Sequence, residues 1–97
     1  MSEIITAAVA TLSEKLSGGF DGTDKFAIDG EGAIMVDGSG VRAAEDSDEA
    51  DVTLSADADT FQEILSGELN PTSAFMGGRL RLDGDMGTAM RLGGLLG

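Results

Sequence analysis

Residues 70–97 read NPTSAFMGGRLRLDGDMGTAMRLGGLLG, a pattern that predicts a helix, a strand and a second helix in succession. Asn70 is a good helix-capping residue, and Pro71 suits the first turn of the helix that follows. Two glycines end this helix, and RLRLD then alternates basic and apolar residues as a strand does. Asp85 is placed to cap a final helix that is rich in Met and Leu. The segment therefore carries more apolar surface than one small core needs.

Upstream of this segment, the sequence predicts one helix and then four strands. The helix has Ser2 as its cap and Gly18–Gly19 as its end, and its apolar face consists of Ile5, Ala8, Val9, Leu12 and Leu16. Alternation predicts the strands KFAID, AIMVD, VRAAE and DVTLS, with glycine-rich turns between the first three. An acidic crossing, EDSDEAD, precedes the fourth. Lys25 and its alternate neighbours face outward, and the inward-facing residues are Phe26, Ile28, Ile34, Val36, Val52 and Leu54.

After the fourth strand, the spacing of apolar residues changes from two to three or four, which predicts a short helix. Asp57 is its predicted cap and Gly67 its predicted end. Its apolar face consists of Phe61, Ile64 and Leu65. The chain is then expected to form one domain over residues 1–97, with the element order α-βββ-β-αα-β-α.

The composition excludes several classes of function. Eighteen acidic residues against six basic ones give a net charge of −12, and such a surface repels nucleic-acid phosphates and anionic bilayers. We therefore expect no nucleic-acid partner and, because no apolar run approaches about 18 residues, no stable membrane insertion. Histidine and cysteine are absent, so the commonest general base, nucleophilic thiolate and zinc ligands are missing. We expect no catalytic residues, cofactor or metal, and the lack of cysteine and of a basic leader favours the cytoplasm.

Two patterns resemble ligand sites but have simpler explanations. Residues 38–43, GSGVRA, fit a dinucleotide-binding pattern after a strand, yet the residues that follow have no apolar stripe for a covering helix. A hairpin turn explains these glycines. Residues 46–51 are rich in carboxylates, but the glycine and glutamate that an EF-hand loop requires are missing. We therefore interpret them as a solvated acidic crossing.

Charged residues near the predicted helix starts also allow two interpretations. Asp57 and Asp85 each have a second Asp two residues away, a spacing that suits acid–base chemistry, but helix capping and solubility account for them. Arg79 and Arg81 are expected to be neutralised by neighbouring carboxylates. The alternative is that they contact a lipid head group.

The final helix leaves three interpretations open. One stripe of its surface carries Met86, Ala89, Met90 and Gly93, while three leucines lie partly outside it: Leu92, Leu95 and Leu96. A helix with so wide an apolar surface must bury more than one face, because each Leu or Met side chain left exposed loses about 1.5–3 kcal/mol of free energy that its burial would contribute. Composition alone allows a tightly packed core, a seam between two copies, or a lid over an apolar cavity. The unbranched thioether of methionine adapts to irregular ligand shapes, but on composition alone the tightly packed core ranks first.

Residues 50–92, ADVTLSADADTFQEILSGELNPTSAFMGGRLRLDGDMGTAMRL, resemble the diagnostic region of the type-two sterol carrier protein family nearly from end to end. The matching parts are Ser66-Gly67, Asn70-Pro71, Ala74-Phe75, residues 78–82 and residues 84–92. The resemblance implies an α+β fold in which a mixed five-stranded sheet has helices packed on one face, with an apolar tunnel between sheet and helices. It also implies non-enzymatic binding or transfer of an apolar lipid ligand: a fatty acid, acyl-CoA, a phospholipid or a sterol.

The resemblance further implies which residues line the tunnel. Carried over by position, they are Phe61, Ile64, Leu65, Phe75, Met76, Leu80, Leu82, Met86, Met90, Leu92, Leu95 and Leu96. Family members often have larger polar residues where this chain has Gly93 and Gly94, so we expect the lid helix to fray, widen the mouth or end early there. The chain lacks the C-terminal peroxisomal address of longer members, which suggests a short, bacterial-like, cytoplasmic form. The alternative function is an interaction module without a ligand, whose Met/Leu-rich final helix forms a weak homodimer or another partner interface.

Overall fold

The computed structural model describes residues 3–16, 22–45 and 47–96 of the chain. Its elements, in chain order, are α1 (Glu3–Lys15), β1 (Asp24–Ile28), β2 (Gly32–Asp37), β3 (Gly40–Ala44), β4 (Val52–Ala56), α2 (Ala58–Ser66), α3 (Pro71–Met76), β5 (Arg81–Gly84) and α4 (Met86–Leu96). This confirms the predicted order of helices and strands. The predicted cap Ser2 and the predicted stop Gly18–Gly19 of the first helix lie outside the described residues.

The five strands form one mixed sheet in the order β3-β2-β1-β4-β5. β1, β2 and β3 are antiparallel neighbours, β4 lies parallel to β1, and β5 forms the other edge antiparallel to β4. Parallel strands need a long connection between them, which here consists of β2, β3 and the acidic crossing. The predicted mixed five-stranded sheet is therefore confirmed.

The residues predicted to face inward form a core between the sheet and its helices. All six inward-facing residues of β1, β2 and β4 are 6% exposed or less. α1 contacts β2, β3 and α2, and α4 contacts β1, β4 and β5. The rings of Phe26 and Phe61 lie 5.2 Å apart between their centroids and join β1 to α2. The helices therefore cover the sheet in two groups, with α1 over one edge and α4 over the other.

The opposite face of β1 and β2 is less exposed than the alternation predicts. Lys25 and Met35 are partners in the strand register on this face, and they are only 8% and 5% exposed. The Lys25 ammonium group donates a 2.8 Å hydrogen bond to the carbonyl oxygen of Asp48. The acidic crossing is therefore more than a solvated break, because it supplies an acceptor to a strand residue.

The helix boundaries follow local signals. The side-chain oxygens of Asp57, Asn70 and Asp85 accept backbone N–H groups two or three residues further on, at 2.7, 2.8 and 3.1 Å. Gly67 ends α2 with φ 86°, in the left-handed region that favours glycine. These predicted caps and this predicted stop are confirmed. α4 continues through residues 93–94 to its end, so the helix does not end early at its two glycines.

Candidate functional site

An apolar cavity of about 520 Å³ lies between the sheet and the helices α2, α3 and α4. Phe26 of β1, Leu54 of β4 and Leu82 of β5 form its floor and are consecutive cross-strand neighbours. Its walls are lined by Ile64, Asn70, Pro71, Thr72, Phe75, Met76, Leu80, Met86, Ala89, Met90, Gly93 and Gly94. The volume lies within the range of about 300–1,000 Å³ that is typical of small-molecule sites.

Large apolar side chains that reach solvent surround the mouth of this cavity. Phe75 and Met76 of α3 are 40% and 80% exposed, and Met86 and Met90 of α4 are 48% and 71% exposed. All four also line the cavity, and we call them the apolar rim. Contiguous exposed apolar groups are characteristic of sites that bind a ligand or a partner. The rim is therefore placed to meet the apolar part of an incoming molecule.

Small residues on α4 leave space at the cavity. Ala89 and Gly93 lie about one helical turn apart on the side that faces the cavity, and Gly94 follows them. A Cβ atom at Gly93 would lie 4.0 Å from the Cβ of Pro71. A Cβ atom at Gly94 would meet no heavy atom of another element within 4 Å among the residues that the structure describes. Side-chain volume is therefore missing where α3 and α4 approach each other.

The polar groups of the lining are few and uncharged. Asn70 and Thr72 are the only lining residues with polar side chains in the described part of the chain. The Asn70 side-chain oxygen already accepts the backbone N–H groups of Thr72 and Ser73, at 2.8 and 3.3 Å. Such a surface can remove an apolar molecule from water, but its side chains supply no general base, thiolate or charged metal ligand.

Seven of the twelve residues predicted to line the site come together at this cavity: Ile64, Phe75, Met76, Leu80, Leu82, Met86 and Met90. The structure describes Leu95 and Leu96 as part of α4 but does not describe their side chains. The seven come from four successive elements or their connections, so the cavity gathers most of the apolar residues in the C-terminal third. Their contact with a ligand remains a prediction.

Phe61, Leu65 and Leu92 do not line the cavity, contrary to the prediction. Phe61 and Leu65 lie one helical turn apart on α2 and face a separate groove against α1. Leu92 is fully buried, one turn after the buried Thr88, on the core side of α4. Helical spacing predicts that these apolar side chains face the interior of the protein. It does not predict which neighbouring element each of them contacts.

Eight of the fifteen lining residues were not predicted as site residues. Phe26 and Leu54 were predicted only as inward-facing core residues, because their position at the cavity depends on the order of the strands. Ala89 and Gly93 share the stripe of Met86, and this spacing is the signal that would have identified them. The remaining four, Asn70, Pro71, Thr72 and Gly94, lie at helix ends or lack a side chain, and hydrophobic spacing does not detect them.

The glycine-rich pattern of residues 38–43 forms the hairpin that the sequence predicted. The Ser39 backbone N–H donates a 2.8 Å hydrogen bond to the Asp37 carboxylate in the turn between β2 and β3. The chain then continues as the antiparallel strand β3, whereas a dinucleotide phosphate binds where such a turn enters a helix. The hairpin therefore accounts for both glycines.

The charged residues near the helix starts are used within the protein. Arg79 forms an ion pair with Glu63, and Arg81 forms one with Asp29 at 3.1 Å, which confirms that neighbouring carboxylates neutralise both arginines. A hydrogen bond from the backbone N–H of Thr60 lowers the pKa of Asp57. Hydrogen bonds from the hydroxyl of Thr88 and, to a smaller extent, from its backbone N–H lower the pKa of Asp85. Carboxylates stabilised in this way stay ionised near neutral pH and are poor general acids.

A buried carboxyl group lies at the start of β1. Asp24 is fully buried on the core side of the sheet, between Val36 of β2 and Val52 of β4 in the register. Neither of its side-chain oxygens has a hydrogen-bond partner among the residues that the structure describes. Burial raises the pKa of Asp24 to about 7. Because Asp24 does not line the cavity, this group concerns the stability of the core.

Two further features are absent from residues 3–16, 22–45 and 47–96. No helix there is long and apolar enough to cross a bilayer. No group of three or more acidic side chains in these ranges is arranged to hold a metal ion.

The sheet, the helices on one of its faces and the open-mouthed apolar cavity between them together define a small α+β protein built around a site for an apolar molecule. The sequence model of the SCP-2 sterol transfer family matches residues 6–97. The chain therefore belongs to this family, and the resemblance seen in residues 50–92 is confirmed.

Curated relatives are much longer than this chain. Hydroxysteroid dehydrogenase-like protein 2 of Xenopus laevis is 33% identical over 103 aligned residues, which cover 100% of this chain and 25% of the relative. The human protein of the same name is 37% identical over 90 residues, which cover 93% of this chain and 20% of the relative. The chain thus spans a fifth to a quarter of the length of these relatives.

Solved structures share the fold over nearly the whole chain. Sterol carrier protein-2 of Aedes aegypti, solved in complex with palmitate, has a TM-score of 0.78 at 19% identity, covering 99% of this chain and 96% of that one. A crystal structure of sterol carrier protein 2 has a TM-score of 0.67 at 26% identity, covering 99% and 88%. The predicted fold class is therefore confirmed.

Proposed function

We propose that this chain binds an apolar lipid in its cavity and catalyses no reaction on that lipid. The cavity itself carries the proposal, because its lining is apolar and uncharged and its mouth is formed by the exposed apolar rim. The side chains that border an empty cavity also lack dispersion contacts on that side, and a bound acyl chain would supply them.

Removal of the acyl chain from water would supply the affinity. Each CH₂ group contributes about 0.8 kcal/mol, so burial of about ten of them would contribute about 8 kcal/mol before the cost of association. A charged head group would stay at the mouth, since the described lining holds no charged side chain to pair with it. The floor would then contact the acyl chain, and the rim would close over it.

The relatives support a lipid as the ligand. The family is described by sterol transfer, and two Aedes aegypti proteins with this fold were solved with palmitate or in palmitated form. A C16 fatty acid is therefore the first ligand to test and a sterol the second. We propose that any dehydrogenase activity suggested by the name of the longer relatives belongs to the parts of those proteins that this chain does not match.

The exposed rim also supports a second candidate function, in which two copies associate through these side chains without a ligand. We favour the lipid site, because the rim surrounds a cavity and not a flat surface. The absence of cysteine supports a cytoplasmic location for either function.

Native mass spectrometry of the purified protein separates the two candidates. A co-purifying small molecule that is extracted into organic solvent and identified by its mass as a lipid supports the lipid-binding function. A stable dimer that yields no lipid and does not take up a fluorescent fatty acid supports the interaction module and contradicts the lipid site.

Gly93→Leu provides a test within the cavity. The new Cβ fits beside Pro71, and the rest of the Leu side chain would occupy the gap between α3 and α4. Leu is a better helix former than Gly by about 1 kcal/mol, so we expect weaker uptake of a fluorescent fatty acid without loss of stability. Gly87→Leu, in the same helix but away from the cavity lining, is the matched control and should bind normally. Normal uptake by both variants would contradict the site.

A further inference from the structure

The four methionines that the structure describes fall into two environments. Met76, Met86 and Met90 line the cavity at its mouth and have about half or more of their side-chain surface exposed. Met35 of β2 is buried on the opposite face of the sheet. The three exposed thioethers come from both helices of the mouth, one from α3 and two from α4. We call these three residues the methionine rim.

Thioethers are the readily oxidised side chains that this chain offers. The sequence contains no cysteine, tryptophan, tyrosine or histidine. A hydroperoxide transfers one oxygen atom to a methionine sulfur: the O–O bond breaks, an S–O bond forms, and the sulfide is oxidised to a sulfoxide. The peroxide is reduced at the same time, to water from hydrogen peroxide or to an alcohol from an organic hydroperoxide. The step needs an accessible sulfur atom and no bound cofactor.

We propose that the methionine rim is a peroxide-sensitive modification site whose oxidation closes the cavity to lipid. A sulfoxide is polar and a good hydrogen-bond acceptor, so it converts an apolar side chain into one that retains water. A ligand that passes between α3 and α4 would have to strip this water from groups on both sides of the mouth. This inference rests on the proposed lipid-binding function and adds a control of access by oxidation.

The position of each methionine favours a local effect of oxidation. Met86 and Met90 are four residues apart and project from the same side of α4, while Met76 is at the end of α3. None of the three is a buried core residue. Sulfoxides at these positions would therefore change the mouth without placing polar groups in the hydrophobic core. A sulfoxide at Met35 would do the opposite, because its side chain is enclosed.

The test combines mapping of oxidation with lipid binding. Wild-type protein is treated with increasing hydrogen peroxide, digested, and analysed by mass spectrometry for the gain of one oxygen atom per peptide. We expect Met76, Met86 and Met90 to be oxidised well before Met35. Affinity for a fluorescent C16 fatty acid is measured before and after treatment and should fall by about tenfold or more, which is one decade in the dissociation constant. Treatment with the two methionine sulfoxide reductases should restore it.

Two variants test whether the loss of binding comes from the methionine rim. For each protein, the affinity for the fluorescent fatty acid before peroxide treatment is divided by the affinity after it. Met35→Leu should keep the wild-type sensitivity. The triple variant Met76→Leu/Met86→Leu/Met90→Leu should have a ratio near one, whatever its affinity before treatment. Unchanged binding by an oxidised wild-type rim would overturn the proposal, and so would equal sensitivity of the triple variant. Untreated wild-type protein that takes up no fatty acid would instead refute the lipid site, and this inference with it.

Discussion

The buried carboxyl group of Asp24 should make the stability of the protein depend on pH, and Asp24→Asn should remove that dependence. Burial between Val36 and Val52 raises the pKa of Asp24 from 3.8 to about 7. In the unfolded chain the carboxyl group ionises near its ordinary value of 3.8. Between these two values the folded protein keeps a proton that the unfolded chain has lost. The contribution of Asp24 to the free energy of unfolding therefore falls as the pH rises through this window, and it no longer changes with pH above the window.

The magnitude follows from the two pKa values. One pKa unit corresponds to about 1.4 kcal/mol, so the difference between 3.8 and about 7 lowers the free energy of unfolding by about 4 kcal/mol above neutral pH. Well below the ordinary pKa, the group is protonated in both states and has no such effect. Asparagine is neutral throughout and similar in shape. Asp24→Asn should therefore be more stable than wild type by about 4 kcal/mol near pH 8 and nearly equal to it near pH 4.

Urea unfolding followed by circular dichroism at several pH values between about 4 and 8 measures this difference. Asp83→Asn is the matched control, since Asp83 is exposed on β5 and the substitution removes the same formal charge without a buried group. It should show no comparable increase toward pH 8. An advantage of Asp24→Asn that stays constant across the pH range, or a loss of stability near pH 8, would contradict a buried Asp24 with a raised pKa.

Two further predictions concern a close backbone approach at Gly84 and the helix cap at Asn70. Gly84 has φ 119°, and a Cβ atom there would lie 2.3 Å from the Asp51 carbonyl oxygen, so Gly84→Ala should lower the free energy of unfolding by about 2 kcal/mol or more. Gly87→Ala is its control, and equal urea midpoints for the two variants would count against the close approach of β5 to β4. Asn70→Ala should cost about 1 kcal/mol by removing the cap of α3. Asn70→Asp should restore most of this loss in the same assay, and a wild-type midpoint for Asn70→Ala would show that water replaces the cap.

The order and ends of the elements could be predicted because the interactions that set them act within a few residues. The caps at Asp57 and Asn70 and the left-handed Gly67 depend on neighbours along the chain. Strand alternation likewise identified the inward-facing residues, since successive side chains point to opposite faces. Seven of the residues that the resemblance in residues 50–92 implied as tunnel lining also line the cavity, and their contact with a ligand stays a prediction.

The helix α2 shows where this reasoning fails. Ile64 and Leu65 belong to the same apolar pattern, yet Ile64 lines the cavity while Leu65 faces the groove against α1. The rotation of a helix about its axis is set by its partners, here through contacts such as that between Phe26 and Phe61. Those partners are distant in the sequence, and apolar spacing does not specify them.

Local signals in the sequence specify which elements form, in what order, and how much apolar surface they have to bury. The packing of these elements then leaves part of that surface lining a cavity and buries Asp24 between two strands that follow it in the chain. Both outcomes have the same cause. A void and a desolvated carboxyl group depend on the separation between elements, as between Pro71 and Gly93, and such separations result from the packing of the whole chain.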